Sequence, residues 1–84
     1  MKKVTIYTKG YCPYCKRAVG LLKKAGADLE EIDVVNDEAT YSKIKTQTGC
    51  QTVPQIFIGD EFIGGFDDLN AIKTAGELDA KLGK

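Results

Sequence analysis

The sequence has no histidine, no surplus of either charge and no apolar run of eighteen residues, and each absence removes a class of function. Without such a run, no membrane-spanning helix is expected. Twelve basic and twelve acidic residues cancel, so no global field draws the chain to nucleic acid or to an anionic membrane, and local clusters must carry any steering. Without histidine, Cys12, Cys15 and Cys50 cannot be completed to the four Cys/His ligands of a closed structural zinc site, so no bound metal is expected. An odd set of three cysteines does not make a disulfide framework either. No linker, repeat or low-complexity tract divides the 84 residues, and a chain this short buries only about 60% of its unfolded surface, enough core for one domain. Met1 to Gly10 alternates polar and apolar residues instead of following a basic segment with a greasy stretch, so a cytosolic location is expected.

What is present reads as alternating strands and helices. Lys3 to Thr8 is rich in β-branched and aromatic residues and predicts a first strand that ends near Gly10. Pro13 suits the first position of a helix. Cys15, Ala18, Val19, Leu22 and Ala25 follow at helical spacing, and Gly26 closes the helix. Leu29 to Val35 predicts a second strand. Asn36, Asp37 and Glu38 supply the cap and first-turn acids of a second helix, which runs to about Thr48 before Gly49. Pro54 to Gly59 predicts a strand, Gly59-Asp60 a tight turn, and Glu61 to Ile63 the returning strand of a hairpin. Asp67 or Asp68 is expected to cap a third helix that ends at Gly76, and Glu77 to Leu82 adds a last short turn or two. Two strands joined by a helix, then a hairpin, predict an α/β fold: a four-stranded mixed sheet flanked by helices, in the thioredoxin-like layout.

The chemistry concentrates at Cys12-Pro13-Tyr14-Cys15, where the first strand meets the first helix. A thiolate, not a thiol, attacks a disulfide. Unpaired N–H groups and the positive end of the helix dipole favour negative charge at Cys12, and Lys9, Lys16 and Arg17 add potential of the same sign. Cys15, three residues on, shares a helical face with Cys12 but lies inside the first turn, which suits a thiol that acts second. A bare Cys-x-x-Cys pair is also found in structural and metal-binding roles, the lesser alternative here; its place at a strand-to-helix junction favours redox use.

Over nearly its whole length the chain also resembles the glutaredoxin family. Thr8-Lys9 stands before Cys-Pro-Tyr-Cys, then come Thr52-Val53-Pro54 and Gly64-Gly65-Phe66-Asp67-Asp68, in that order. The resemblance implies one glutaredoxin-like domain over residues 1–84 and a redox-active Cys12/Cys15 pair. It further implies a cis Val53-Pro54 bond and a glutathione site made by Lys9, Tyr14, Gln51, Thr52, Val53, Pro54, Gly65, Phe66, Asp67 and Asp68. In that site Lys9 would bind the glycine carboxylate of glutathione, and Val53 would pair with the extended ligand like an added strand. The N–H groups of Phe66 and Asp67 would take the γ-glutamyl carboxylate, and Asp67 or Asp68 the ammonium. No permanently bound cofactor is implied. Glutathione is the reducing co-substrate, the other partners are disulfide-containing or glutathionylated proteins, and the expected state is a monomer.

Three positions depart from the family pattern. Phe66 stands where many relatives have cysteine or serine, which leaves only a backbone contact there. Gln51 replaces an arginine common before Thr-Val-Pro, which removes charge from the carboxylate end. Cys50 matches no catalytic position and is assigned no role. Two other functions compete with the leading one: a carrier of iron-sulfur clusters bridged through Cys12 and glutathione, disfavoured by the rigid Pro13, and a redoxin reduced by thioredoxin reductase, which would not need Lys9 and the acidic clamp.

Overall fold

A computed structural model describes all 84 residues. It contains β1 (Lys3–Thr8), α1 (Pro13–Lys24), β2 (Asp28–Asp33), α2 (Glu38–Thr48), β3 (Gln55–Ile58), β4 (Glu61–Gly64), α3 (Phe66–Thr74) and α4 (Leu78–Leu82). The sheet order is β2-β1-β3-β4, with β1 parallel to β2 and antiparallel to β3. No helix is long and apolar enough to cross a membrane.

Strand alternation decides which residues meet which helices. Val4 and Ile6 of β1 stand opposite Ile58 and Ile56 of β3 and, fully buried, form one cluster with Ala18 and Leu22 of α1, Leu69 of α3 and Leu78 and Leu82 of α4. On the other face of β3, Phe57 packs edge-on against Tyr7 with ring centroids 6.0 Å apart, and Gln55 reaches Thr48 at the end of α2. Helices therefore cover both faces. Helix α2 is capped at Asp37, whose carboxylate accepts from the Thr40 N–H at 3.1 Å and its hydroxyl at 2.7 Å. The Thr40 hydroxyl, with its N–H, holds the Asp37 carboxyl below its ordinary range.

Three boundaries differ from the sequence-based expectation. The second strand stops at Asp33 rather than Val35, because the Asp33 carboxylate turns back to accept the Val35 N–H at 2.8 Å. Val34 is nonetheless buried, which is why the β-branched pattern runs past the strand. The third strand begins at Gln55, since Pro54 has no N–H to give the ladder, and it ends before Gly59, which turns left-handed at φ 59°. Neither Asp67 nor Asp68 caps α3. Gly65 holds that position, and Asp68, three residues later, accepts the Gly65 N–H at 3.0 Å. The preceding Gly64 has φ 117°, and a Cβ there would collide with the Asp68 carboxylate. Glycine is required at Gly64 on both counts.

Candidate active site

The end of β1 delivers Cys12 to the start of α1. Its N–H donates to the Lys9 carbonyl at 2.9 Å, and its backbone is extended, at φ −86° and ψ 114°, so Cys12 is the N-cap residue and Pro13 the first helical one. In that geometry Cys12 Sγ accepts the Cys15 N–H at 3.3 Å, and as a thiol it donates to the Val53 carbonyl at 3.8 Å. The Val53 N–H has no partner within the chain. The Val53-Pro54 bond is cis, as the family resemblance implied.

Folding separates the two thiols by exposure. Cys12 is half-buried, whereas Cys15 is 2% exposed on the core side of α1. Burial pushes the Cys15 thiol up from 9.0 to about 12, and the neighbouring Cys12 side chain adds to the rise. At neutral pH Cys15 is therefore a protonated thiol. Below about pH 9 the folded and unfolded chains both hold this proton. Above it, the unfolded chain releases the proton while the folded chain keeps it, so stability falls as the pH rises towards 12. Denaturant unfolding of the reduced protein at pH 8 and pH 10 is expected to show the natural chain losing more stability than Cys15→Ala, on the order of 1 kcal/mol. Equal losses in the two proteins would mean that the burial of Cys15 exerts no such penalty.

Beside Cys12, whose thiol reaches the Val53 carbonyl, lies a groove of about 390 Å³ that neither Cys12 nor Cys15 itself lines. Its lining includes Tyr14, Thr52, Val53, Pro54, Gly65, Phe66, Asp67 and Asp68, eight of the ten binding residues expected from the sequence. The first-turn N–H groups of Phe66 and Asp67 have no helical acceptor, the Asp67 carboxylate is exposed without a hydrogen-bond partner, and Asp68 is occupied by Gly65. The Tyr14 and Phe66 rings, 6.2 Å apart, form a ridge on one side, and the Arg17 guanidinium sits 5.4 Å above Tyr14.

Lys9 and Gln51 lie outside the groove lining and are joined to each other through Tyr41. The Tyr41 ring carries two ammonium groups, Lys9 Nζ at 4.2 Å and Lys45 Nζ at 4.4 Å, while its hydroxyl donates to the Gln51 carbonyl at 2.8 Å. A cationic end thus stands apart from the acidic end at Asp67. Cys50, given no role by its sequence position, does line the groove, with Sγ 3.7 Å from Thr52 Oγ1. Gln55 is the other residue that sequence reasoning passed over. It is fully buried and holds the loop before Val53, its amide donating to the Cys50 carbonyl at 2.8 Å and accepting from the Thr48 hydroxyl at 2.8 Å. Its only sequence signal was a polar residue inside an otherwise apolar strand.

A strand-to-helix turn that presents one thiol and shields its neighbour, on a mixed sheet covered on both faces, defines the class of dithiol proteins with a thioredoxin-like fold. A family model described as Glutaredoxin matches residues 4–63. The chain is 45% identical over 82 residues to the glutaredoxin of Pseudomonas aeruginosa, covering 98% of each. It is 44% identical over 82 residues to glutaredoxin 3 of Escherichia coli K12, covering 98% of this chain and 99% of that one. Among solved structures, the buckwheat glutaredoxin–glutathione complex superposes with a TM-score of 0.91 at 30% identity, over 98% of this chain and 77% of that chain. The solution structure of glutaredoxin from Brucella melitensis gives 0.88 at 44% identity, over 100% and 94%. The chain belongs to the glutaredoxin family, and membership implies a thiol oxidoreductase activity.

Proposed function

We propose that this protein reduces protein disulfides and glutathionylated proteins with electrons from glutathione, through Cys12 as attacking thiolate and Cys15 as resolving thiol. The observation that carries the reading is the groove beside Cys12, with free N–H groups and an unpartnered carboxylate at Phe66 and Asp67 and an unpaired N–H at Val53 in the same lining. A γ-glutamyl group needs an anion site and a cation site together, and this end of the groove supplies both. The buckwheat relative, whose complex with glutathione superposes over nearly the whole chain, supports the same ligand here.

Two routes follow from the burial of Cys15. With a protein disulfide, the Cys12 thiolate attacks one sulfur, the other leaves as thiolate, and a mixed disulfide forms. Cys15 then loses its proton, which neutralises a leaving thiolate, and its sulfur attacks Cys12 Sγ to expel the product and close a Cys12–Cys15 bridge. One glutathione opens that bridge onto Cys12, and a second attacks the glutathione sulfur, releasing glutathione disulfide and the Cys12 thiolate. With a glutathionylated protein, Cys12 attacks the glutathione sulfur, the protein thiolate departs, and a single further glutathione regenerates the enzyme. On this reading the protein works as a cytosolic monomer with glutathione as co-substrate and no resident cofactor.

Turnover of a small glutathione mixed disulfide is expected with glutathione, glutathione reductase and NADPH, and not with thioredoxin reductase and NADPH in place of glutathione and its reductase; the reverse result would overturn the proposal. In the same assay Lys9→Gln removes the charge proposed to hold the glycine carboxylate. Loss of one charge-assisted hydrogen bond, worth about 1.5–3 kcal/mol, is expected to raise the apparent glutathione KM about ten- to a hundredfold. An unchanged value would remove Lys9 from the site and leave its ammonium to the Tyr41 ring.

A further inference from the structure

A second, larger concavity of about 660 Å³ lies between α1, α3 and α4. Its floor is apolar, with Leu21, Phe66 and Leu78, and Gly20 leaves it open from the α1 side because no atom lies within 4 Å of where a side chain would stand. Its rim is cationic. Arg17, Lys24 and Lys73 line it without any salt bridge, whereas the one acid present, Asp79, lies 3.9 Å from the Lys84 ammonium. In a chain whose twelve basic and twelve acidic residues cancel, this local surplus arises from placement alone. Lys24 and Lys73 stand in the last turns of their helices, where the dipole offsets only part of their charge.

Phe66 lines both this trough and the groove beside Cys12, and the Tyr14 ring with Arg17 above it continues the same ridge. The trough is thus within reach, across this ridge, of a polypeptide whose cysteine is engaged at Cys12. We propose that the trough docks the client protein itself, through an acidic segment bearing an apolar side chain close to the client's reactive cysteine, with carboxylates on the Lys24 and Lys73 rim and the apolar group on the Leu21–Leu78 floor. The inference builds on the thiol-exchange reading above and names the class of client that reading leaves open. Complementary charge of this kind selects among partners and speeds encounter more than it raises affinity.

The test uses the reduced full chain and a peptide carrying serine at the cysteine position, so that no exchange occurs, followed by alternating acidic and leucine residues. NMR shift changes are expected at Leu21, Lys24, Asn70 and Lys73, weaker in high salt and lost when lysines replace the acids. The glutathionylated cysteine form of the peptide then serves as substrate. K24E/K73E is expected to lower its kcat/KM by about five- to thirtyfold while leaving a small mixed disulfide unaffected, each exposed ion pair being worth up to about fivefold. K2E/K43E, which changes the net charge equally at exposed positions outside the trough, is expected to have little effect. Shift changes elsewhere, equal binding of the basic peptide, or equal behaviour of the two double variants would overturn the docking proposal. Because the serine peptide needs no thiol chemistry, binding without turnover would count against the exchange reading alone, and normal turnover without binding against the docking proposal alone.

Discussion

Replacing Cys12 by serine is expected to abolish turnover of both protein disulfides and glutathionylated proteins, because a serine hydroxyl is neither ionised at neutral pH nor able to exchange with sulfur. Replacing Cys15 by serine is expected to give a different protein rather than a weaker one. The Cys15 N–H donates to Cys12 Sγ at 3.3 Å from the backbone, so the variant keeps that donor and the setting of the attacking thiol. Deglutathionylation, which needs one protein thiol, is expected to survive, while reduction of protein disulfides falls to the background left by direct attack of glutathione on the mixed disulfide. Parallel assays of the two substrates with each variant are the check. Equal loss of both reactions in Cys15→Ser would show that Cys15 does more than resolve.

The second large effect is expected at a residue with no role in the exchange chemistry. Gln55→Met keeps the length of the side chain but removes the amide that spans from β3 to the loop after α2. Thr48 retains an acceptor in the Ile44 carbonyl at 3.0 Å, so the group left stranded is the Cys50 carbonyl. Two lost hydrogen bonds and one unsatisfied carbonyl are expected to destabilise the fold by about 2–4 kcal/mol, read as a lower urea midpoint at unchanged slope. The same loop carries Thr52 and Val53 into the groove, so the apparent KM for glutathione is expected to rise as well. A loss of stability below about 1 kcal/mol would show that the amide is not an anchor. A full loss with KM unchanged would confine its role to the fold.

These two experiments bear on features of different legibility. The site around Cys12 was readable because its determinants are local. Proline after Cys12 sets a helix start, the helix start places Cys12 at the N-cap, and three residues of helix bring Cys15 onto the same side. The strand Lys3–Thr8 and the helix from Glu38 to Thr48 were equally local, one written in β-branched alternation and the other in an Asp cap and a closing Gly49. The end of the second strand was misread because Val34 and Val35 look like strand, while the Asp33 carboxylate, a competitor for the backbone, ends it. The cap of α3 was misassigned because a carboxylate three residues into a helix and one at its threshold look alike until the backbone at Gly64 and Gly65 is seen.

By itself, the sequence determined the order of strands and helices, the thiol pair, and which end of which helix presents Cys12. Only the tertiary structure decided that Gln55 is a buried strut, that Lys9 and Gln51 meet at Tyr41, and that a chain of zero net charge carries a cationic trough between α1, α3 and α4. The division has a physical cause. Dihedral preference, capping and periodicity act within a turn or two of the chain, whereas burial and the partners of a polar group depend on residues tens of positions away that meet only when the sheet has formed.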